Sequence, residues 1–208
     1  MKKLVPLFML LTACSPRSAA GQDPVPVDSS VAGLVPPGHG QLNQDAITLI
    51  LRSGSIEIRF TPLDERVTRL LSNDNWQSIQ NLVSANAARI DSTAERHSIT
   101  RPGIAMVTFF GLRNDARFDP QLLTISSRSR VLRPAGIVPL SASFSAQQLE
   151  VGTQAMGLFL FDDELPVMEP FSLEYLDATS NDWERRLTRF DRERGRILSR
   201  TGGDRGGS

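Results

Sequence analysis

From Arg117 to Tyr175, short apolar runs are separated by turn residues at a spacing that leaves no room for long helices, so consecutive β-strands are what this stretch can form. Phe118-Asp119-Pro120 opens one run, which Leu122, Leu123 and Ile125 continue. Val131-Leu132 ends at Arg133-Pro134, and Pro139-Leu140 marks the next break. Gln148 to Gly152 leads into the apolar run Met156 to Phe161, and Phe171, Leu173 and Tyr175 alternate in a final strand. Just upstream, Ile104 to Leu112 has the pattern of a strand buried on both faces, with Arg113-Asn114-Asp115-Ala116 as its turn.

The segments before these strands continue the pattern and then change it. Ordered structure is expected to begin near Ala46. Ile47, Leu49 and Leu51 alternate, as do Ile56, Ile58 and Phe60, with Ser53-Gly54 between them, which describes a hairpin with one buried face. Thr61-Pro62-Leu63-Asp64 reads as a helix start, with Thr61 as cap and Leu63, Val67, Leu70 and Leu71 on the apolar face. A second helix is expected from Asp74, carrying Trp76, Ile79, Leu82, Val83, Ala87, Ile90 and Ala94 at helical spacing. The helical pair thus falls near residues 62–97. His97 lies at its end, where an imidazole complements the helix dipole, so capping is preferred to metal ligation.

These landmarks predict a mainly β fold: an antiparallel sandwich over residues 46–180 with an inserted helical pair, then a C-terminal amphipathic helix over 181–200 and a disordered, glycine-rich tail over 201–208. The order of Asn114, Phe118-Asp119-Pro120, Arg133-Pro134, Leu149 to Gly152 and Phe171 to Tyr175 resembles the immunoglobulin-like domains of bacterial surface lipoproteins. The resemblance covers the second half of the core and implies no catalytic residues. The helical insertion departs from the simple pattern and leaves the strand order open.

The N-terminus carries an address. Lys2 and Lys3 precede the apolar stretch Leu4 to Leu11, and Leu11-Thr12-Ala13-Cys14 resembles the lipobox of bacterial lipoprotein signal peptides. The resemblance implies cleavage between Ala13 and Cys14, which removes residues 1–13, and a lipid on the sulfur of Cys14. Ser15 rather than an aspartate follows, which directs the expectation to the outer membrane's periplasmic face or the cell surface instead of the inner membrane. Cys14 is the only cysteine, so the chain can form no internal disulfide. Residues 14–45, rich in Pro, Gly, Ser and Ala, read as a disordered tether, with His39 in it as a solvated loop residue.

After loss of the leader the chain holds 21 arginines, no lysine and 23 acids. That balance argues against general nucleic-acid binding, which needs a basic excess. The charges are unevenly placed. Glu150, Asp162, Asp163, Glu164, Glu169, Glu174 and Asp177 come without an intervening base, whereas the terminal helix places Arg185, Arg186, Arg189, Arg192, Arg194, Arg196 and Arg200 around an apolar stripe of Trp183, Leu187, Phe190 and Ile197. Such a helix can dock on the domain with its charges facing water or the acidic strands. It can also present Arg185, Arg186, Arg189, Arg192 and Arg196 to anionic lipid or to an envelope protein.

Enzymatic signals are weak. His39 and His97 are the available histidines, no G-x-S-x-G motif is present, and phosphate-cradling glycine loops are absent. Asp162-Asp163-Glu164 lacks the ligand spacing of a calcium loop and reads as a solvated turn. No metal or cofactor is called for. The leading expectation is a membrane-anchored, non-enzymatic binding or assembly module with an envelope protein partner. An envelope hydrolase whose acids converge only in the fold, and a purely structural envelope component, are the alternatives.

Overall fold

The computed structural model describes residues 34–128 and 130–203. Ala13, Cys14 and the tether as far as Gly33 lie outside the described residues, as do residues 204–208. With Leu49 and Leu51 inward and Ile50 and Arg52 outward, β1 (Leu49–Ser53) turns at Gly54-Ser55 into β2 (Ile56–Pro62), Ser53 facing Ile56. Ile47 is not in the strand. It belongs to a 3-10 turn (Gln44–Ile47) capped by Asn43, whose side chain accepts the Ala46 N–H.

Thr61 and Pro62 do not start a helix. They complete β2, because Thr61 pairs with Met106 and Pro62 with Ala105 across the sheet, and this pairing overrides the local preference. The cap is Asp64, which accepts the Arg66 N–H and opens the single-turn α1 (Glu65–Thr68). The expected second helix is two: α2 (Asn73–Ala85) and α3 (Ala87–Arg96), interrupted at Asn86. The Asn86 side chain donates to the Leu82 carbonyl at 2.9 Å, a local bond of the kind that competes with helical continuation.

The later strands are β3 (Gly103–Gly111), β4 (Ala116–Arg117), β5 (Thr124–Ser127), β6 (Val131–Leu132), β7 (Pro134–Pro139), β8 (Gln148–Leu149), β9 (Gln154–Phe161), β10 (Phe171–Tyr175) and β11 (Ala178–Ser180). Their ladders are antiparallel and form a five-stranded sheet in the order β1-β2-β3-β9-β7, a four-stranded sheet in the order β11-β10-β5-β6, and the short pair β4-β8. Pro134, read as closing a strand, opens β7. This is an edge strand, where a missing N–H costs no ladder bond.

Alternation divides the large sheet between two cores. Ala105, Val107 and Phe109 face the small sheet, whereas Ile104 and Met106 face the helices. Phe60 meets Phe171 edge-on at 6.4 Å, and Phe109 lies 6.1 Å from Tyr175, so the two sheets share one aromatic core. On the opposite face, Ile90 and Ala94 of α3 pack with Val138, Leu158 and Leu160. α4 (Asp182–Gly203) buries Trp183, Phe190 and Ile197, the indole 4.8 Å from Phe171 and its N–H donated to the Val167 carbonyl. Helix and strand take comparable shares of the described residues, so the fold is sheet-rich but not mainly β.

Residues 34–45 are packed, although they read as the end of the tether. Val35 and Leu42 are buried, Leu42 N–H donates to the Leu70 carbonyl, and Ser72 N–H donates to that of Leu42. Two apolar residues in a polar, glycine-rich background suffice to fix the segment, and averaging over composition conceals them.

Candidate functional site

Strand register gathers the turns at one end of the domain. Ser53 faces Ile56, Ile56 faces Gly111, and Phe110 faces Gln154, so the β1–β2 turn, the exit of β3 and the entry of β9 are neighbours. The Ser53 hydroxyl donates to the Asp177 carboxylate at 2.9 Å and ties in the β10–β11 turn. Three large apolar side chains stand out from these loops: Leu112 at 42% exposure, Val151 at 59% and Leu176 at 68%. Their backbones are held: Leu112 N–H donates to the Ser55 carbonyl at 2.8 Å, Gly152 N–H to the Gly111 carbonyl at 2.9 Å, and Val151 N–H to the Asn114 side chain.

Backbones at this end adopt the left-handed region at Gly54, Asp115, Gln147, Gly152 and Leu176. Glycine and aspartate tolerate that region. Leucine does not, and Leu176 at φ 52° bears a cost of about 1 kcal/mol with most of its side chain in water. Its neighbour makes the position rigid: Tyr175 is buried, its phenol accepts the Asp119 N–H at 2.9 Å, and burial pushes the phenol's pKa up. Phe118 stacks on Phe109 at 4.3 Å and fixes the β3–β5 connection from below. The exposed loop residues 112–115, 150–152 and 176–177 contribute Asp115, Glu150 and Asp177 against Arg113. This end therefore presents three exposed apolar side chains on hydrogen-bonded loops, among the acids Asp115, Glu150 and Asp177, which suits contact with an apolar surface flanked by basic groups.

The opposite end receives the incoming chain and α4, and there the predicted arginines divide. Arg186 is turned inward and donates to the carbonyls of Asp45 and Ala46, each at 2.8 Å, so burial lowers its pKa. Arg196 donates to the His39 carbonyl at 2.8 Å and to Glu193 at 2.9 Å. These two belong to the fold and are not free for a partner. Arg185, Arg189 and Arg192 are exposed, Arg185 facing Asp182 at 3.5 Å. Among the described residues, docking of α4 does not use the acidic strands as counter-charges; its ion pairs there, to Asp182, Asp191 and Glu193, are within the helix.

The remaining candidates are dispersed. His39 is exposed on the entry segment and His97 ends α3 against β7. In the turn after β9, Asp163 pairs with Arg130 and Glu164 with Arg66 at 3.4 Å, so that acidic cluster is held by arginines. Cys14 and Ala13 lie outside the described residues. The loop end is what sequence reasoning missed; its signal was the pause in alternation at Leu176-Asp177 after Tyr175. No known protein family matches the chain, and no curated protein and no solved structure matches it either.

Proposed function

We propose that this chain is a lipid-anchored envelope protein whose domain is an immunoglobulin-like sandwich acting as a non-enzymatic binding module, with the loop end as the contact for its partner. The strand order supports the fold. In immunoglobulin domains one sheet runs A-B-E-D and the other G-F-C, with C′ beside C in the variable type. Here β2-β3-β9-β7 corresponds to A-B-E-D and β11-β10-β5-β6 to G-F-C-C′, with β1 added outside A and the helices inserted between A and B. The loop end is then the end that carries the B–C and F–G loops, which variable domains use for binding.

The observation that carries the function is Leu176, a leucine held exposed in a conformation that asparagine or glycine would occupy at lower cost. A partner that buries it recovers the transfer free energy of the side chain, about 1.5–3 kcal/mol. The anchor follows from the leader and Cys14. A photo-crosslinking amino acid at position 176 or 151 should yield one discrete protein adduct in cells, and the same residue at Thr188 on α4 should not. Absence of any adduct specific to the loop end would remove the binding-module assignment. Mass spectrometry of the mature N-terminus tests the anchor separately: an unmodified Cys14 excludes it.

A further inference from the structure

The outward side of α4 is a second surface with its own chemistry. Arg185, Arg189, Arg192, Arg196 and Arg200 are spaced by four, three, four and four residues, which places them along one side of the helix over about 22 Å. Between them on that side stand the exposed Thr188, Gly195 and Ser199. Arg196 is drawn inward to His39 and Glu193, but Arg185 is 86% exposed, Arg189, Arg192 and Arg200 are exposed, and the side chains of Arg189 and Arg192 make no hydrogen bond or ion pair with any described residue. A straight row of guanidinium groups, in which Arg185 and Arg196 each face a carboxylate of the helix while Arg189 and Arg192 pair with no described residue, is complementary to a plane of negative charge.

The route of the chain indicates which plane. Residues 39–41 enter against this same helix: Arg196 holds the His39 carbonyl and Glu193 accepts the Gln41 N–H at 2.7 Å, while Arg69 at the end of α1 donates to the Val35 carbonyl. The point at which the preceding segment reaches the domain is thus on the α4 end, away from Leu112, Val151 and Leu176. We infer that the outward arginine row of α4 lies on the anionic headgroups of a phospholipid bilayer and turns the loop end away from the membrane. The bilayer as occupant rests on the anchored reading above. The contact is electrostatic, since Leu198 is the one large apolar residue exposed on the helix among those described, and the row itself is free of apolar side chains.

The test uses the chain from Ser15 to Ser208, which keeps the whole folded unit and has no acyl group, in sedimentation with vesicles of phosphatidylcholine alone or with phosphatidylglycerol added, at low and physiological salt. Binding is expected only to the anionic vesicles and should weaken with salt. Replacing Arg185, Arg189 and Arg192 by glutamine should lower the partition coefficient on the order of a hundredfold, at about fivefold for each arginine near the surface. A control with equal charge loss, Arg96→Gln with Arg113→Gln and Arg117→Gln, should lower it only a few fold. The proposal is overturned if the chain ignores anionic vesicles, binds neutral ones equally, or loses as much in the control; a ridge that serves an acidic protein gives the first of these results. Equal melting temperatures for both triple variants exclude a folding defect, and the mass of the Cys14 peptide reports on the anchor independently of any vesicle result.

Discussion

Leu176 and Glu193 show how differently single residues stand to the fold. Leu176 is exposed in a left-handed turn, so its side chain adds little to folding and its backbone subtracts from it. Leu176→Asn should therefore stabilise the domain by roughly 0.5–1 kcal/mol in urea unfolding while reducing the crosslinking yield at the loop end. A loss of stability would mean that the leucine packs on its neighbours and the functional argument would lapse. Glu193 is the opposite case. Its carboxyl is held below the usual carboxylate range by the Arg196 guanidinium, against the opposing effect of burial, with the Gln41 N–H assisting. A lowered folded pKa stabilises the protein above the unfolded value of about 4.3 and loses that contribution as pH falls through the folded value. Glu193→Gln should cost about 2 kcal/mol at pH 7, and the difference from the parent should shrink towards pH 3; a constant difference would assign the loss to packing alone.

At the scale of elements, α4 is both a structural strut and a charged face, and the two roles use different residues. Its apolar stripe closes the aromatic core through Trp183, which is fully buried and in contact with Phe171 and Phe190. Trp183→Ala should lower the unfolding free energy by about 3–5 kcal/mol, whereas neutralising Arg189 and Arg192 should leave it within about 0.5 kcal/mol. Calorimetry on the two variants separates strut from face. Elements such as this one were legible because periodicity alone specifies them: the β1–β2 hairpin, the apolar runs of β3 and β9, the alternation of β10 and the stripe of α4. What escaped were elements defined by their neighbours. β7 lies between two prolines and becomes a strand only because β9 offers an edge. Phe118 and Leu122 look like strand residues, but Leu122 lies in a 3-10 turn (Pro120–Leu122) just beyond Phe118, into which Asp119 directs the chain by accepting the Gln121 N–H. The loop end was illegible for a related reason, since exposure of Leu112, Val151 and Leu176 is set by strand register across the sheet and not by local pattern.

For the whole molecule, the arrangement of the two surfaces depends on where the chain enters. The segment 34–42 is threaded between the α1–α2 junction and α4, and its closest approach is at Gly40, where a β-carbon would stand 2.0 Å from the Leu70 carbonyl oxygen. No side chain fits there without displacing backbone. Gly40→Ala should thus cost about 3 kcal/mol and act at a distance, raising hydrogen exchange at Gln41, Leu42 and Ser72 before it reaches the sheets. If the segment is released in this way, the vesicle contact of α4 should persist while the hold of Arg196 and Glu193 on residues 39–41 is lost, because the arginine row is carried by α4 itself. Uniform exchange across the sheets would instead show that entry segment and sheets unfold as one unit, and that the orientation of the loop end is as stable as the fold.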